Sequence, residues 1–379
     1  MCTFIYTMDL STSIEKIKKY KQKYADYKNI FINKKILKSP NNIGYDPKQI
    51  YKAYGYDKIH YDKHLILSDI HVVIIIAYSY KNIQVDFDIF CKKNNLPTKQ
   101  INVIKINENT PSNSDWSAEI CIDTQWSHAI FPWSKITVVE AESSSVQDLL
   151  VAIEVGKSIN PDIMNMSWGV SEFNFCDKID IFNNSEIIFI ASSGDDNSVE
   201  WPATNPNVLA VSASSLYVDK KGKYFKETTW SNSGCGYSKY FKIPAYQKNA
   251  DIICSNNRVC SDISIVGNPE TGCYIFYDNN YSIYGGTSLS APIISGTMAI
   301  ICYFRKINNK IKINSNSNPY DNYSVQNLLY EYYTRSGENI FNDIKLGSSG
   351  YFDATKGWDF PTGLGSPNVI YFVDYLNNV

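Results

Sequence analysis

The chain has 379 residues, 44% hydrophobic and 20% charged, enough for one large domain or two ordinary ones with a sizeable buried core. A formal net charge of −2 gives the whole molecule no electrostatic bias toward nucleic acid. No run reaches the roughly 18 apolar residues of a membrane helix, Asp9 interrupts the opening MCTFIYTMDL before a secretory apolar region can form, and nine cysteines with no C-x-x-C pair speak against a zinc cage.

Residues 1–43 are lysine-rich, with apolar residues at loose helical spacing, and read as one or two amphipathic helices or a partly ordered arm presenting a solvated face. From Val72 the pattern changes. Short apolar runs recur: VVIIIAY at 72, INVIKI at 101, KITVVEA at 135, IMNMSW at 163, IIFIASSG at 187 and NVLAVSAS at 207. Runs of this length, apolar on both faces, suit buried parallel strands. Helical stretches lie between several of them, as in SSVQDLLVAIEVGKSI, with Leu149, Leu150, Ile153 and Val155 on one side. The alternation predicts βαβ units and an α/β fold: a doubly wound, mostly parallel sheet with helices on both faces. Residues 44–379 read as one domain, with 306–345 as surface loops and a helix. Ligands in such sheets bind beyond the carboxyl ends of the strands, which draws attention to Ser167-Trp168-Gly169 and Ser193-Gly194-Asp195. Cys254, Cys260 and Cys273 are near enough in sequence for one disulfide, and buried free thiols fit equally.

Between the second and third runs, SAEICIDTQWSHAIFPWSKI places Glu119 and Asp123 four residues apart, so on a helix both carboxylates project from one face. Such pairs are ordinarily solvated. Late in the chain, IYGGTSLSAP sets Ser288 after Gly285 and Gly286 at the start of a helix rich in small residues. The glycines allow a tight turn and close approach of a substrate, and the helix dipole places its positive end behind the serine. An N-cap serine would look the same. The histidines, His60, His64, His71 and His128, all lack the following Gly-Thr with which a histidine-based subtilisin-like hydrolase presents its base. Near the end, FNDIKLGSSGYFDATKGWDFPTGLGSPN combines Asp343 and Asp359 with turns that expose carbonyls, a hard-oxygen set suited to calcium.

Taken together, GTSLSAP around Ser288, the string Glu119, Asp123, Trp126, His128-Ala129 and Pro132, the SGD ending at Asp195 with Trp201-Pro202-Ala203 after it, NMSWG, and the terminal GWDFPTGLGSPN resemble the sedolisins, or serine-carboxyl peptidases, which share the subtilisin-like fold. The resemblance covers about residues 44–372, and YDPKQIYKAYGY from Tyr45 is similar to the mature amino terminus of such enzymes. It implies that Ser288 is the nucleophile, Glu119 its general base, Asp123 the partner that orients Glu119, and a protonated Asp195 the donor to the oxyanion. A carboxylate still accepts a proton where an imidazole, with its ordinary pKa of about 6.5, is already charged. The resemblance further implies a substrate groove lined by Ser167, Trp168 and Gly169, and a C-terminal loop binding one calcium ion through Asp343, the carbonyls of Ile344, Thr355 and Gly357, and Asp359. The expected partner is a peptide or protein substrate, with no nucleic acid and no membrane, acting as a monomer in an acidic compartment or outside the cell.

Two features depart from the family pattern. Fewer than fifty residues precede the match, where the family carries a long prosegment, so control by such a segment is not expected. An apolar residue near Ile76 stands where some members have a further glutamate. Two other readings fit the same residues: a histidine-based hydrolase, and an inactive calcium-stabilised binding protein on the same fold.

Overall fold

The six apolar runs become strands of one sheet: β1 His71–Ala77, β2 Asn102–Lys105, β3 Lys135–Ala141, β4 Ile163–Met166, β5 Ile188–Ser192 and β6 Leu209–Val218. Two further strands, β7 Tyr224–Thr229 and β8 Ile263–Val266, complete it. The computed structural model describes residues 10–40, 44–61, 69–183, 185–335 and 340–379. The strand order is β7-β6-β5-β4-β1-β3-β2, with β8 also pairing β6. All pairs are parallel except β7 against β6. Every residue of β1 is buried, which is why its sequence is continuously apolar rather than alternating. From β1 the chain builds one side of the sheet through β2 and β3, then returns past β1 to start the other side at β4. That reversal opens a crevice at the carboxyl ends of β1 and β4.

Two helices frame this crevice. The helix Ser114–Ile130 starts from Asn113, whose side chain accepts from the Asp115 and Trp116 amides, and is buried from Trp116 to Ile130. The helix Thr287–Ile307 is long and apolar enough to cross a membrane, yet its apolar surface is enclosed by the rest of the protein. The two meet at Gly296. A Cβ there would stand 2.5 Å from the Ile130 Cβ and 2.8 Å from the Ser127 carbonyl oxygen, so the close backbone approach requires glycine.

The amino-terminal segment is less solvated than its composition suggests. Its helix, Leu10–Lys23, is anchored to the helix Val146–Ser158 by Lys23 Nζ and the Tyr24 hydroxyl on Glu154 Oε1, at 3.1 and 2.7 Å, and Lys21 pairs with Glu142. The chain then runs extended. Ile32 N donates to the Ser144 carbonyl (2.9 Å), the Ile30 carbonyl accepts from Val146 N (2.7 Å), and Leu37–Lys38 pairs antiparallel with Tyr284–Gly285, just before Ser288. Cys254, Cys260 and Cys273 are free thiols, the first exposed and the other two buried. Within 306–345 a helix, Val325–Arg335, sits among irregular loops.

Candidate active site

Ser288 is the second residue of its helix and is 3% exposed. Gly286 has φ +96°, and a Cβ there would lie 2.8 Å from Asp195 Oδ2, so both backbone geometry and space demand glycine before the serine. The Ser288 hydroxyl donates to the Ser167 carbonyl at 3.1 Å.

Glu119 and Asp123 lie one turn apart on the helix Ser114–Ile130, and both are fully buried. Asp123 is built into a chain of polar contacts. Its Oδ1 accepts from Ser167 Oγ (2.5 Å), which accepts from Asn165 Nδ2 (2.8 Å), and Asn165 Oδ1 accepts from Ser295 Oγ (2.8 Å). These contacts tie the strand β4, the acid-bearing helix and the serine-bearing helix together. Burial pushes the Asp123 acid well above the ordinary carboxyl range, and the adjacent Glu119 charge adds to it. Glu119 is also raised, by burial first, with Lys34 pulling down, Asp195 pushing up and a hydrogen bond with Ser288 pulling down. Charge on either carboxyl of this buried pair disfavours charge on the other.

Lys34 was not singled out by its sequence context, and it sits at the centre of the site. Its ammonium pairs with Glu119 Oε2 at 2.9 Å, donates to the Ser167 carbonyl at 2.7 Å, and donates to Ser288 Oγ. Burial disfavours the charge, but Glu119 and Asp195 outweigh that and hold the ammonium above the usual lysine value. This nitrogen stands between the Glu119 carboxylate and the Ser288 hydroxyl. Nothing in the stretch distinguishes Lys34 from the exposed Lys35 beside it; only the path of the chain does.

Asp195 follows β5 through Gly194, whose φ is +120°. Its Oδ1 accepts from the Thr287 amide and hydroxyl, both at 2.8 Å, so it is fastened to the residue preceding the nucleophile. Of the expected groove residues, Ser167 presents its carbonyl to the site. The Trp168 side chain instead turns into the core, with Nε1 donating to the Ile75 carbonyl at 2.9 Å, so only its backbone is left for the groove. Gly169 is partly exposed beside it. Ile76 is buried in β1.

His128 and His71 are occupied elsewhere. His128 is buried, bonded to the Pro97 carbonyl at 2.7 Å with its ring edge-on to Phe87, and burial lowers its pKa to about 4. His71 bonds Thr137 Oγ1 and is likewise lowered to about 4 by burial. His60 is exposed, and His64 lies outside the described residues.

The carboxyl-terminal loop brings Asp343 and Asp359 together. Asp343 Oδ1 accepts from the Gly357 amide (3.1 Å) and Oδ2 pairs with Lys345 (3.3 Å). Asp359 accepts from the Thr355 amide (2.9 Å) and from the Thr362 amide and hydroxyl (2.8 Å each). Burial, with the Asp343 charge beside it, pushes Asp359 up to about 6. Among the described residues the carbonyls of Ile344, Thr355 and Gly357 accept no hydrogen bond. No three acidic, histidine or cysteine side chains gather into a metal cluster there or elsewhere among the described residues.

Comparison with known proteins gives a consistent picture. The family model described as Subtilase family matches residues 75–342. Sedolisin of Pseudomonas sp. (strain 101) is 31% identical over 199 residues, covering 49% of this chain and 31% of that protein. Kumamolisin of Bacillus sp. (strain MN-32) is 28% identical over 283 residues, covering 66% and 49%. Tripeptidyl-peptidase 1 of Dictyostelium discoideum is 30% identical over 197 residues, covering 48% and 30%. The chain thus spans a third to a half of the length of these relatives. Among solved structures, Pseudomonas sedolisin (serine-carboxyl proteinase) complexed with two molecules of pseudo-iodotyrostatin superposes with a TM-score of 0.75 at 24% identity, covering 89% of this chain and 99% of that one.

Proposed function

Because the chain belongs to the subtilase family, and within it to the sedolisins, we propose that it is a serine-carboxyl peptidase that hydrolyses peptide bonds at acidic pH. Ser288 Oγ attacks the carbonyl carbon of a peptide or protein substrate while its proton passes to Glu119. Asp195, protonated, donates to the oxyanion as charge develops there. Collapse breaks the C–N bond, and Glu119 returns the proton to the leaving amine. A water molecule then repeats the sequence on the acyl-enzyme, with Glu119 again as base. Asp123 holds Glu119 and shares its proton, as an aspartate orients the imidazole of a histidine triad.

The observation that carries this reading is the shared neighbour of a buried carboxylate and a hydroxyl from two different helices: Glu119 Oε2 and Ser288 Oγ both lie within hydrogen-bond reach of one nitrogen, Lys34 Nζ. The test is cleavage of an unfolded protein substrate at about pH 4. Ser288→Ala, Glu119→Ala and Asp195→Ala should each abolish it without lowering the melting temperature enough to unfold the protein. Substantial cleavage by any of the three counts against the assignment. The same Lys34 contact also favours a second reading, in which the fold binds without turnover because the reaction space is filled. Covalent capture of Ser288 by a peptide aldehyde would exclude that.

The carboxyl-terminal loop supports a proposal of its own: Asp343, Asp359 and the carbonyls of Ile344, Thr355 and Gly357 hold one calcium ion. The donors are all hard oxygens, the two acids are neighbours, and the three carbonyls have no competing donor among the described residues. The ion would neutralise two adjacent negative charges and brace the loop. A chelator such as EGTA is expected to lower the melting temperature and added calcium to restore it; an unchanged melting curve would mean that no such ion braces the loop.

A further inference from the structure

We propose that Glu200 determines the specificity of this site, selecting lysine or arginine as the substrate residue whose carbonyl Ser288 attacks. The inference rests on the peptidase reading above. Glu200 begins a short strand, Glu200–Trp201, that pairs antiparallel with Val170–Ser171, directly after the groove residues 167–169. Successive side chains alternate across a strand. Trp201 is fully buried in the core beside Trp168, so Glu200 turns to the opposite side. There its carboxylate is bracketed by two glycines of the site. A Cβ on Gly169 would stand 2.4 Å from Glu200 Oε2, and one on Gly194 would stand 3.0 Å from Glu200 Cγ.

These glycines belong to the two segments that flank the nucleophile. Gly169 continues the stretch whose Ser167 carbonyl accepts from Ser288 Oγ, and Gly194 adjoins Asp195, which is fastened to Thr287. A substrate residue placed with its carbonyl at Ser288 Oγ sends its side chain between those two backbones, toward Glu200. Neither glycine has a side chain to obstruct the path.

The Glu200 carboxylate is only partly buried. It has no hydrogen-bond or ion-pair partner among the described residues. Burial pushes its acid up to about 8, Asp195 and Asp196 of the neighbouring loop push the same way, and Lys34 of the amino-terminal segment pulls down. An ammonium or guanidinium entering this space gives the carboxylate a charge-assisted partner. A neutral side chain leaves Glu200 protonated, and an acidic one meets three carboxyls at close quarters. Because a basic side chain displaces the Glu200 proton, its advantage over a neutral one grows as pH rises toward about 8.

The experiment uses the full chain, as such and with Lys34→Ala to open the site. The probes are peptides identical except for Lys, Arg, Leu, Gln or Glu before the scissile bond, and kcat/KM is measured at about pH 4 and about pH 6. Lys or Arg is expected to exceed Leu and Gln by about tenfold or more, with the ratio larger at the higher pH. In Glu200→Gln the ratio should fall to about one and lose its pH dependence. Cleavage that ignores the residue at this position, or a basic preference that survives Glu200→Gln, overturns the inference while leaving the peptidase reading intact. If Glu200→Gln does not fold, the ratio in the parent chain still decides, since no basic preference there is sufficient to refute it. Failure of both parent and Lys34→Ala proteins to cleave any peptide would remove the peptidase reading and this inference with it.

Discussion

At the scale of single residues, Lys34 is the least expected and most consequential side chain of the site. Its ammonium stands between the Glu119 carboxylate and the Ser288 hydroxyl and is held as well by the Ser167 carbonyl. Replacing it with methionine keeps the length of the side chain and removes the charge. Lys34→Met in the full chain should therefore speed labelling of Ser288 by a peptide aldehyde, on the order of tenfold for each 1.4 kcal/mol by which the ammonium had stabilised the filled site. An unchanged labelling rate would show that Lys34 does not limit access. The candidate residues were singled out in the sequence by type and spacing. The fold brings Glu119 and Asp123, at i and i+4, near Ser288 and Asp195. Lys34, Asn165 and Glu200 were not legible as site residues, because each acquires its role from a neighbour distant in the chain.

At the scale of elements, the site depends on two helices held at backbone contact. Gly296 permits that approach, with no room for a methyl group beside Ile130 and the Ser127 carbonyl. Gly296→Ala should force the helices apart, costing about 1–3 kcal/mol of stability. It should also lower peptide cleavage by more than the unfolded fraction explains, because Glu119 and Ser288 ride on opposite helices. Thermal melting and kcat measured on the same preparation separate the two effects, and a loss of stability with undiminished kcat would show that the helix spacing does not set the catalytic geometry. The strands were legible because burial on both faces leaves a short, continuously apolar run. The helix Ser114–Ile130 was legible as a helix but not as one buried from Trp116 to Ile130. Its polar residues, Glu119, Asp123, Thr124, Gln125, Ser127 and His128, disguise a core helix as an amphipathic one, since each is inside the protein.

At the scale of the whole molecule, the buried acids give stability a direction in pH. Glu119, Asp123, Glu140 and Glu227 are raised by burial, Asp359 to about 6 and Glu200 to about 8. A carboxyl raised in the folded state contributes stability that is complete below its unfolded pKa and lost as pH rises through the folded value. His71 and His128, lowered to about 4, act oppositely: their contribution is present above about 6.5 and lost as pH falls through 4. Between about pH 7.5 and 8.5 His71 and His128 are almost wholly neutral in both states, so the native protein binds more protons than the unfolded chain and its stability falls. Glu200 alone accounts for about 0.7 kcal/mol across that window. The melting temperature, measured in chelator, should drop from about pH 7.5 to about pH 8.5, with a shallower slope in Glu200→Gln; a rise across that interval would contradict the pattern. The sequence by itself determined the α/β class, the six parallel strands and the identity of the four residues expected to act on a substrate, because local spacing and burial pattern are written in contiguous residues. Only the tertiary structure decided that the lysine-rich segment threads the crevice, that one of its lysines reaches the nucleophile, and that Glu200 lies behind the groove glycines. Those facts depend on which remote segments the sheet reversal brings together, and no local pattern records that.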